Sequence, residues 1–349
     1  FEANTGNVIS ETINAGTGAV AIKTAGTIND IDSSSLITAQ SLLIDALGKV
    51  GITTNHINTN ITTLSANAGA GLYITENDGV SIDSVDVEVN RVADTAIATE
   101  TTNDAQEKLI STDELVLVST LGNIEITSNS SNDVSSNGDT LISALDGAVT
   151  LSDDLTTGTG NLSILANTTF AQNSNITTAG TVDVEANTSI TMADVTTNAS
   201  DSNIRYSTNG EISLAQLTTS ADVSIIAGSI VDSNADTNNI TADELRLEVS
   251  GSTGLGTNHI ETDVNTLSSN GGSLFVTEAN DITINQTSQI VVQRVGSDTT
   301  LTTTNTTDAT QSDINSSGDL VLQTENGSIT TIVNDGDIIT GGNTLLKTS

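Results

Sequence analysis

The chain has two histidines, His56 and His259, and both stand in the same tetrapeptide, Thr54-Asn55-His56-Ile57 and Thr257-Asn258-His259-Ile260. A pair of imidazoles could begin a metal site. Their spacing opposes it. The offset is 203 residues, which in stacked coils rising about 4.8 Å each is roughly ten coils, or about 50 Å. A turn residue or a polar interior residue is the reading that spacing favours for both. Arg91 and Arg294 recur in the same way, and their expected task is to neutralise nearby carboxylates or cap a loop.

Carboxylates stand close together at Asp30 with Asp32, at Asp83 with Asp86 and Glu88, at Asp153 with Asp154, and at Asp335 with Asp337. Calcium needs several oxygens at once. None of these clusters has the twelve-residue hand loop or the glycine-rich nonapeptide. Asp335-Gly336-Asp337 is the calcium candidate, set against solvated surface charge. No other cofactor is expected. Paired carboxylates also serve polysaccharide-cleaving β-helices, but those need sugar-stacking aromatics, and this chain has only Phe1, Tyr73, Phe170, Tyr206 and Phe275. Tyr73 and Phe275 fall in strand patterns at equivalent positions, as core residues would. A catalytic triad cannot be assembled with one histidine per long repeat, and no phosphate-binding glycine motif is present. The chain is not expected to be an enzyme.

The elements that must position these residues are repetitive. Ile37-Thr38-Ala39, Leu42, Ile44 and Thr63-Leu64-Ser65 return as Ile240-Thr241-Ala242, Leu245, Leu247 and Thr266-Leu267-Ser268, all 203 residues later. Leu72-Tyr73-Ile74-Thr75-Glu76 returns as Leu274-Phe275-Val276-Thr277-Glu278. Residues 1–145 thus recur at 205–349, and 146–204 complete the first long repeat. A shorter rhythm lies inside it. The pairs Leu162/Ile164, Val182/Val184, Ile204/Tyr206, Val223/Ile225 and Leu245/Leu247 follow one another at 19 to 22 residues, each with the alternation of a half-buried strand. Gly-Asn or Gly-Asp introduces many strands, as at Gly122-Asn123 and Gly160-Asn161, and these are turn dipeptides.

A period of about 20 residues with two or three short strands is one coil of a parallel β-helix. Coils must stack to bury their inward side chains. Thr, Val and Ile suit such strands, and Asn, Asp, Ser and Gly suit the turns. There is no Pro to interrupt a ladder. The expected fold is therefore all-β, one continuous β-solenoid over 1–349. The interval from Leu42 to Leu72 is longer, and the segment carrying Thr54–Ile57 is read as a modified coil or a projecting loop. A string of immunoglobulin-like domains is the competing architecture.

The net charge is −36, from 44 acids and 8 bases. Nucleic acid is excluded as a partner, since phosphate contact needs clustered Lys and Arg, and anionic lipid is disfavoured. No apolar run approaches the ~18 residues of a membrane span. With no Cys, disulfides and thiolate metal sites are excluded. The run from Ile240-Thr241-Ala242-Asp243-Glu244-Leu245-Arg246-Leu247 to Gly254-Leu255-Gly256-Thr257, then Val264-Asn265-Thr266-Leu267 and Gly272-Ser273-Leu274-Phe275-Val276, resembles a recurrent pattern of filamentous-haemagglutinin-like bacterial exoproteins. The resemblance implies a right-handed parallel β-helix shaft, secretion, and a place on the bacterial cell surface in adhesion, aggregation or biofilm formation. The expected partners are neighbouring cells, surfaces or copies of the same chain. A self-assembling extracellular filament or sheath, and a calcium-dependent immunoglobulin-like adhesin, are the alternatives.

Overall fold

A computed structural model describes residues 1–92, 94–127, 134–199, 201–234 and 237–349. The chain winds into about 15 parallel coils of about 22 residues each, with no helix among the described residues. One coil shows the design. Leu162–Ala166 forms the first face, Thr169–Gln172 the second and Ile176–Thr178 the third. Each strand pairs in parallel with its counterparts one coil before and one coil after. Leu162 lies between Thr140 and Val182, Phe170 between Val149 and Ile190, and Ile176 between Leu155 and Thr197. Parallel stacking rules out the immunoglobulin-like alternative, whose sheets are antiparallel.

Alternation within each strand sends Leu162 and Ile164 inward and Ser163 outward. Stacking the inward positions makes one core that runs from Val20 to Leu322. Each fully buried aliphatic side chain in it contributes about 2 kcal/mol. Phe170 and Tyr206 are part of this interior, and the Tyr206 hydroxyl is satisfied there by Gln172 at 2.8 Å and Thr197 at 2.8 Å. The turns are held by polar ladders that explain the abundance of Asn, Asp and Thr. Asp139 Oδ1 accepts from the Asn161 amide at 2.8 Å, and Asn161 Oδ1 accepts from the Thr181 amide one coil on, at 3.1 Å. A second ladder runs Asp154, Asn175, Thr196.

Three details differ from the sequence reading. Leu42 and Leu72 are not successive equivalents: Leu42 pairs with Leu64, and Leu72 pairs with Val50 and Leu115. Of the two readings of the Thr54–Ile57 segment, the modified coil holds and the projecting loop does not. The segment closes a tight turn in which Ile52 and Asn55 bridge each other, entered through Gly51 at φ 69°, and Gly254 repeats this at φ 70°. The projections lie elsewhere. Between Ile82 and Leu109 the chain leaves the shaft as an antiparallel hairpin, Val85–Val92 against Ala98–Gln106. Between Ile284 and Ile314 it leaves again, pairing Ile290–Val291 with Thr307–Asp308 and Arg294–Val295 with Leu301–Thr302. These are arm one and arm two.

The arms lengthen the repeat without lengthening the shaft. The row Val50, Leu72, Leu115, Thr140, Leu162, Val182, Ile204, Val223, Leu245 takes eight steps, not ten. Thr253, the counterpart of Val50, falls on the next face, in the row of Ile230, Ile212 and Ile190. The long repeat is therefore a non-integral number of coils, and each copy is turned by one face relative to the last.

Candidate functional site

Residues from both long repeats meet where arm two lies on the shaft. The outward positions of the first face form a column of polar side chains: Ser163, Asp183, Arg205, Ser224, Arg246 and Ser268. On a bare shaft they would be solvated. Arm two runs back along this column and buries it, leaving Asp183 at 0% and Arg205 at 5% exposure. The root of the arm is fixed by Gln311, whose Nε2 donates to the Leu247 carbonyl at 2.9 Å. Gln106 of arm one does the same with the Ile44 carbonyl at 2.8 Å.

The middle of arm two is held by charge. Asp183 accepts from Arg205 Nη1 at 3.2 Å on one side and from Arg294 Nε at 2.6 Å on the other. Arg294 Nη2 also reaches Glu185 at 2.5 Å, and Arg205 Nε reaches Asp308 at 3.2 Å. Burial works against the Arg294 charge, but the adjacent Asp183 and Glu185 carboxylates more than offset it and hold its pKa above the usual range. Removing one member of such a set leaves an uncompensated buried charge, which costs several kcal/mol.

The tip of the arm lands on the first long repeat. The Val295 amide donates to Ser163 Oγ at 2.9 Å. The Val295 side chain, 1% exposed, packs with Tyr73, Val116, Val118 and Leu141. His56 Nε2–H donates to the Ser297 carbonyl at 3.0 Å, so Nδ1 accepts from the Thr75 hydroxyl at 2.8 Å. Burial lowers the His56 pKa, with the Ser297 carbonyl working the other way. Tyr73 donates to Glu114 at 2.9 Å, and Thr299 reaches its hydroxyl. Tyr73 is thus not a residue of the shaft interior. Leu72 and Ile74 point inward, and Tyr73 points out beneath the arm.

His259 has the same local frame, with Nδ1 2.8 Å from Thr277 Oγ1 and its ring 6.1 Å from Phe275. The shaft keeps the two histidines about eight coils apart, on the order of 40 Å, so they do not share a site. Asp335 and Asp337 also serve the turn: the Asp337 amide donates to Asp313 Oδ1 at 2.8 Å, and the Asp335 carbonyl accepts from the Asp313 amide. Among the described residues no group of three or more His, Cys, Asp or Glu is placed to hold a metal.

The sequence reading missed two buried carboxylates. Glu76 and Glu278 are both 0% exposed inside the shaft. Each sits where a coil is short, at 17 residues from Thr59 to Glu76 and 16 from Thr262 to Glu278. The shortened corner leaves backbone amides without a ladder partner. Glu76 accepts from the Ile61 and Asp78 amides and the Thr59 hydroxyl, and Glu278 from the Val264 and Asn280 amides and the Thr262 hydroxyl. Burial raises the pKa of each to about 7, against hydrogen bonds that favour the charged form. Alternation carried the signal, since Leu72, Ile74 and Glu76 share a face. No known family profile, no curated protein and no solved structure matches this chain.

Proposed function

We propose that this chain is a shaft segment of a secreted bacterial cell-surface adhesin, holding a binding site carried elsewhere away from the cell. The observation behind the reading is the unbroken parallel pairing from Glu2 to Lys347, strapped along one face by an arm that ties coils of both long repeats together. Every coil is hydrogen-bonded to the next, so bending costs many ladder bonds at once. That is what a spacer needs. The net charge of −36 keeps shafts apart and soluble. In this reading the chain is a structural element, not an enzyme, and uses no cofactor. The two carboxylates with displaced titration are sealed inside the shaft, where they complete corners.

The test is cryo-electron microscopy and cell attachment, with and without calcium. Isolated rods in both conditions, and attachment that falls when the segment is excised from its parent protein, support the adhesin shaft. Attachment that survives excision would sink it. A second reading, a self-assembling extracellular filament, is favoured by one observation: arm one leaves Val92 65% exposed, where its counterpart Val295 is 1% exposed.

A further inference from the structure

Two side-chain oxygens at the Ile52–Asn55 turn are sealed from solvent and have no hydrogen-bond partner among the described residues: Asp30 Oδ1 and Asn55 Oδ1. Both are acceptors, so neither can satisfy the other. An unpaired buried polar group is costly, and a charged one more so. The two residues are already in contact. Asn55 Nδ2 donates to the Asp30 carbonyl at 3.2 Å, and Asn58 Nδ2 donates to Asp30 Oδ2 at 3.3 Å and to the Ser33 carbonyl at 3.4 Å. Turning the Asn55 amide over gives no relief, because its nitrogen is then lost to the Asp30 carbonyl. The corner brings together a carboxylate, amides and backbone carbonyls, with too few donors for its acceptors. Asp32 takes no part, since its Oδ1 caps Ser34, accepting from the amide at 2.8 Å and the hydroxyl at 2.6 Å.

The second long repeat shows how the same carboxylate is satisfied when a donor is present. Ile28 and Ile230 precede the two tight turns in the same way, bridging Val50 and Thr253, so Asp232 is the counterpart of Asp30. Asp232 Oδ1 accepts from Asn239 Nδ2 at 2.7 Å and from the Asn234 amide at 2.9 Å. The place of Asn239 is held in the first repeat by Leu36, which precedes Ile37 as Asn239 precedes Ile240. Leucine has no side-chain donor. The first-repeat corner therefore has the acid without the amide that answers it.

We propose that this corner binds calcium, with Asp30 Oδ1 and Asn55 Oδ1 as its protein ligands. A cation supplies to both oxygens at once what no donor does. Calcium accepts carboxylate, amide and carbonyl oxygens in flexible geometry, whereas magnesium demands a near-ideal octahedron. The net charge of −36 concentrates cations around the chain. Both residues are half-buried, so the ion has a way in. A single carboxylate makes a weak site, with a dissociation constant on the order of 10⁻⁴–10⁻³ M and water completing the coordination. The ion is structural. It fixes the turn that carries His56, whose Nε2 meets the Ser297 carbonyl at the tip of arm two, so calcium steadies the seat of that arm. The proposal rests on the fold and not on the adhesin reading.

The experiment is a calcium titration of the full chain, followed by NMR of the Asn55 and Asn58 side-chain amides. Ionic strength is held constant with sodium chloride, and magnesium is run in parallel. In wild type both signals shift and saturate at about 10⁻⁴–10⁻³ M calcium, Asn258 at the equivalent turn stays still, and the melting temperature rises. Asp30→Asn puts an amide donor where the carboxylate lacked one. In that variant the saturable shift is lost, and its melting temperature in chelator is no lower than that of wild type in chelator. Diffuse binding to so charged a chain raises the melting temperature of both proteins alike and leaves Asn55 unmoved, and that result overturns the proposal. So does a saturating shift that magnesium produces equally. So does a shift that acid produces and calcium does not, since a proton on Asp30 is then the missing donor. Asn55 is read directly in wild type, so the proposal can fail even if Asp30→Asn does not fold.

Discussion

At the scale of single residues, the interior carboxylates and the buried ion pairs make opposite demands on pH and sequence. Glu76 and Glu278 titrate near 7 in the folded chain, against 4.5 for an ordinary glutamate. Between those values the unfolded chain has released protons that the folded chain still holds. Their contribution is fully present below about pH 4.5 and is lost as pH rises through about 7, amounting to about 3 kcal/mol for each residue. Melting temperature is therefore expected to fall between pH 5 and pH 8 in this background, and Glu76→Gln with Glu278→Gln should flatten that slope. A slope unchanged in the double variant would show that other groups set it. Asp183 behaves differently because it is surrounded by Arg205 and Arg294. Asp183→Ala leaves both guanidiniums without their shared partner and should cost about 3–5 kcal/mol. Since solenoids unfold coil by coil, the loss is best read as faster amide exchange at Gln293 and Val295.

At the scale of elements, the question is what holds an arm down. Val295 supplies the apolar contact and Arg294 the charged one, so Val295→Asp should release the tip while leaving the root pinned by Gln311. His56 reports on this directly. Freed of the tip, its imidazole regains water, and its pKa rises toward the ordinary value. Histidine proton NMR titration should show His56 moving upward and His259 unmoved. An unmoved His56 would mean that the tip contributes little to its burial. The arms also mark the limit of what the sequence made legible. The coil strands were readable because alternation and the 19-to-22-residue spacing repeat many times, and each coil has the same task. The arms occur once per long repeat and contain no periodicity of their own. Their turn residues, Gly296, Ser297 and Asp298, resemble those of any coil corner. Tyr73 was misplaced for a related reason. Leu72-Tyr73-Ile74 alternates correctly, but an outward aromatic reads as core until the element that covers it is known.

At the scale of the whole molecule, the arms change what a long repeat accomplishes. A plain solenoid is held only by contacts between adjacent coils, so its stability is nearly a sum of neighbour terms and its ends fray. Arm two adds contacts that skip coils, from Ser268 and Gln311 at its root to Tyr73 and His56 at its tip. Coils along that span can open only if the arm lets go first, so opening there becomes cooperative. The non-integral repeat then gives the straps direction. Arm one lies on the third face, beside the row of Ile44, Ala66, Leu109, Val134, Leu155 and Ile176, and arm two on the first, so consecutive straps wind around the shaft and do not compete for one side. The prediction is a graded protection pattern in hydrogen exchange. Face-one amides from Leu141 to Arg246, beneath arm two, should exchange together and slowest, while strands from Ile314 to Lys347, which no arm covers, should exchange fastest. Deleting the outer part of arm two, from Gln293 to Leu301, should erase that contrast and leave the strapped coils exchanging independently. If protection under the arm persists after the deletion, the shaft's rigidity comes from coil stacking alone.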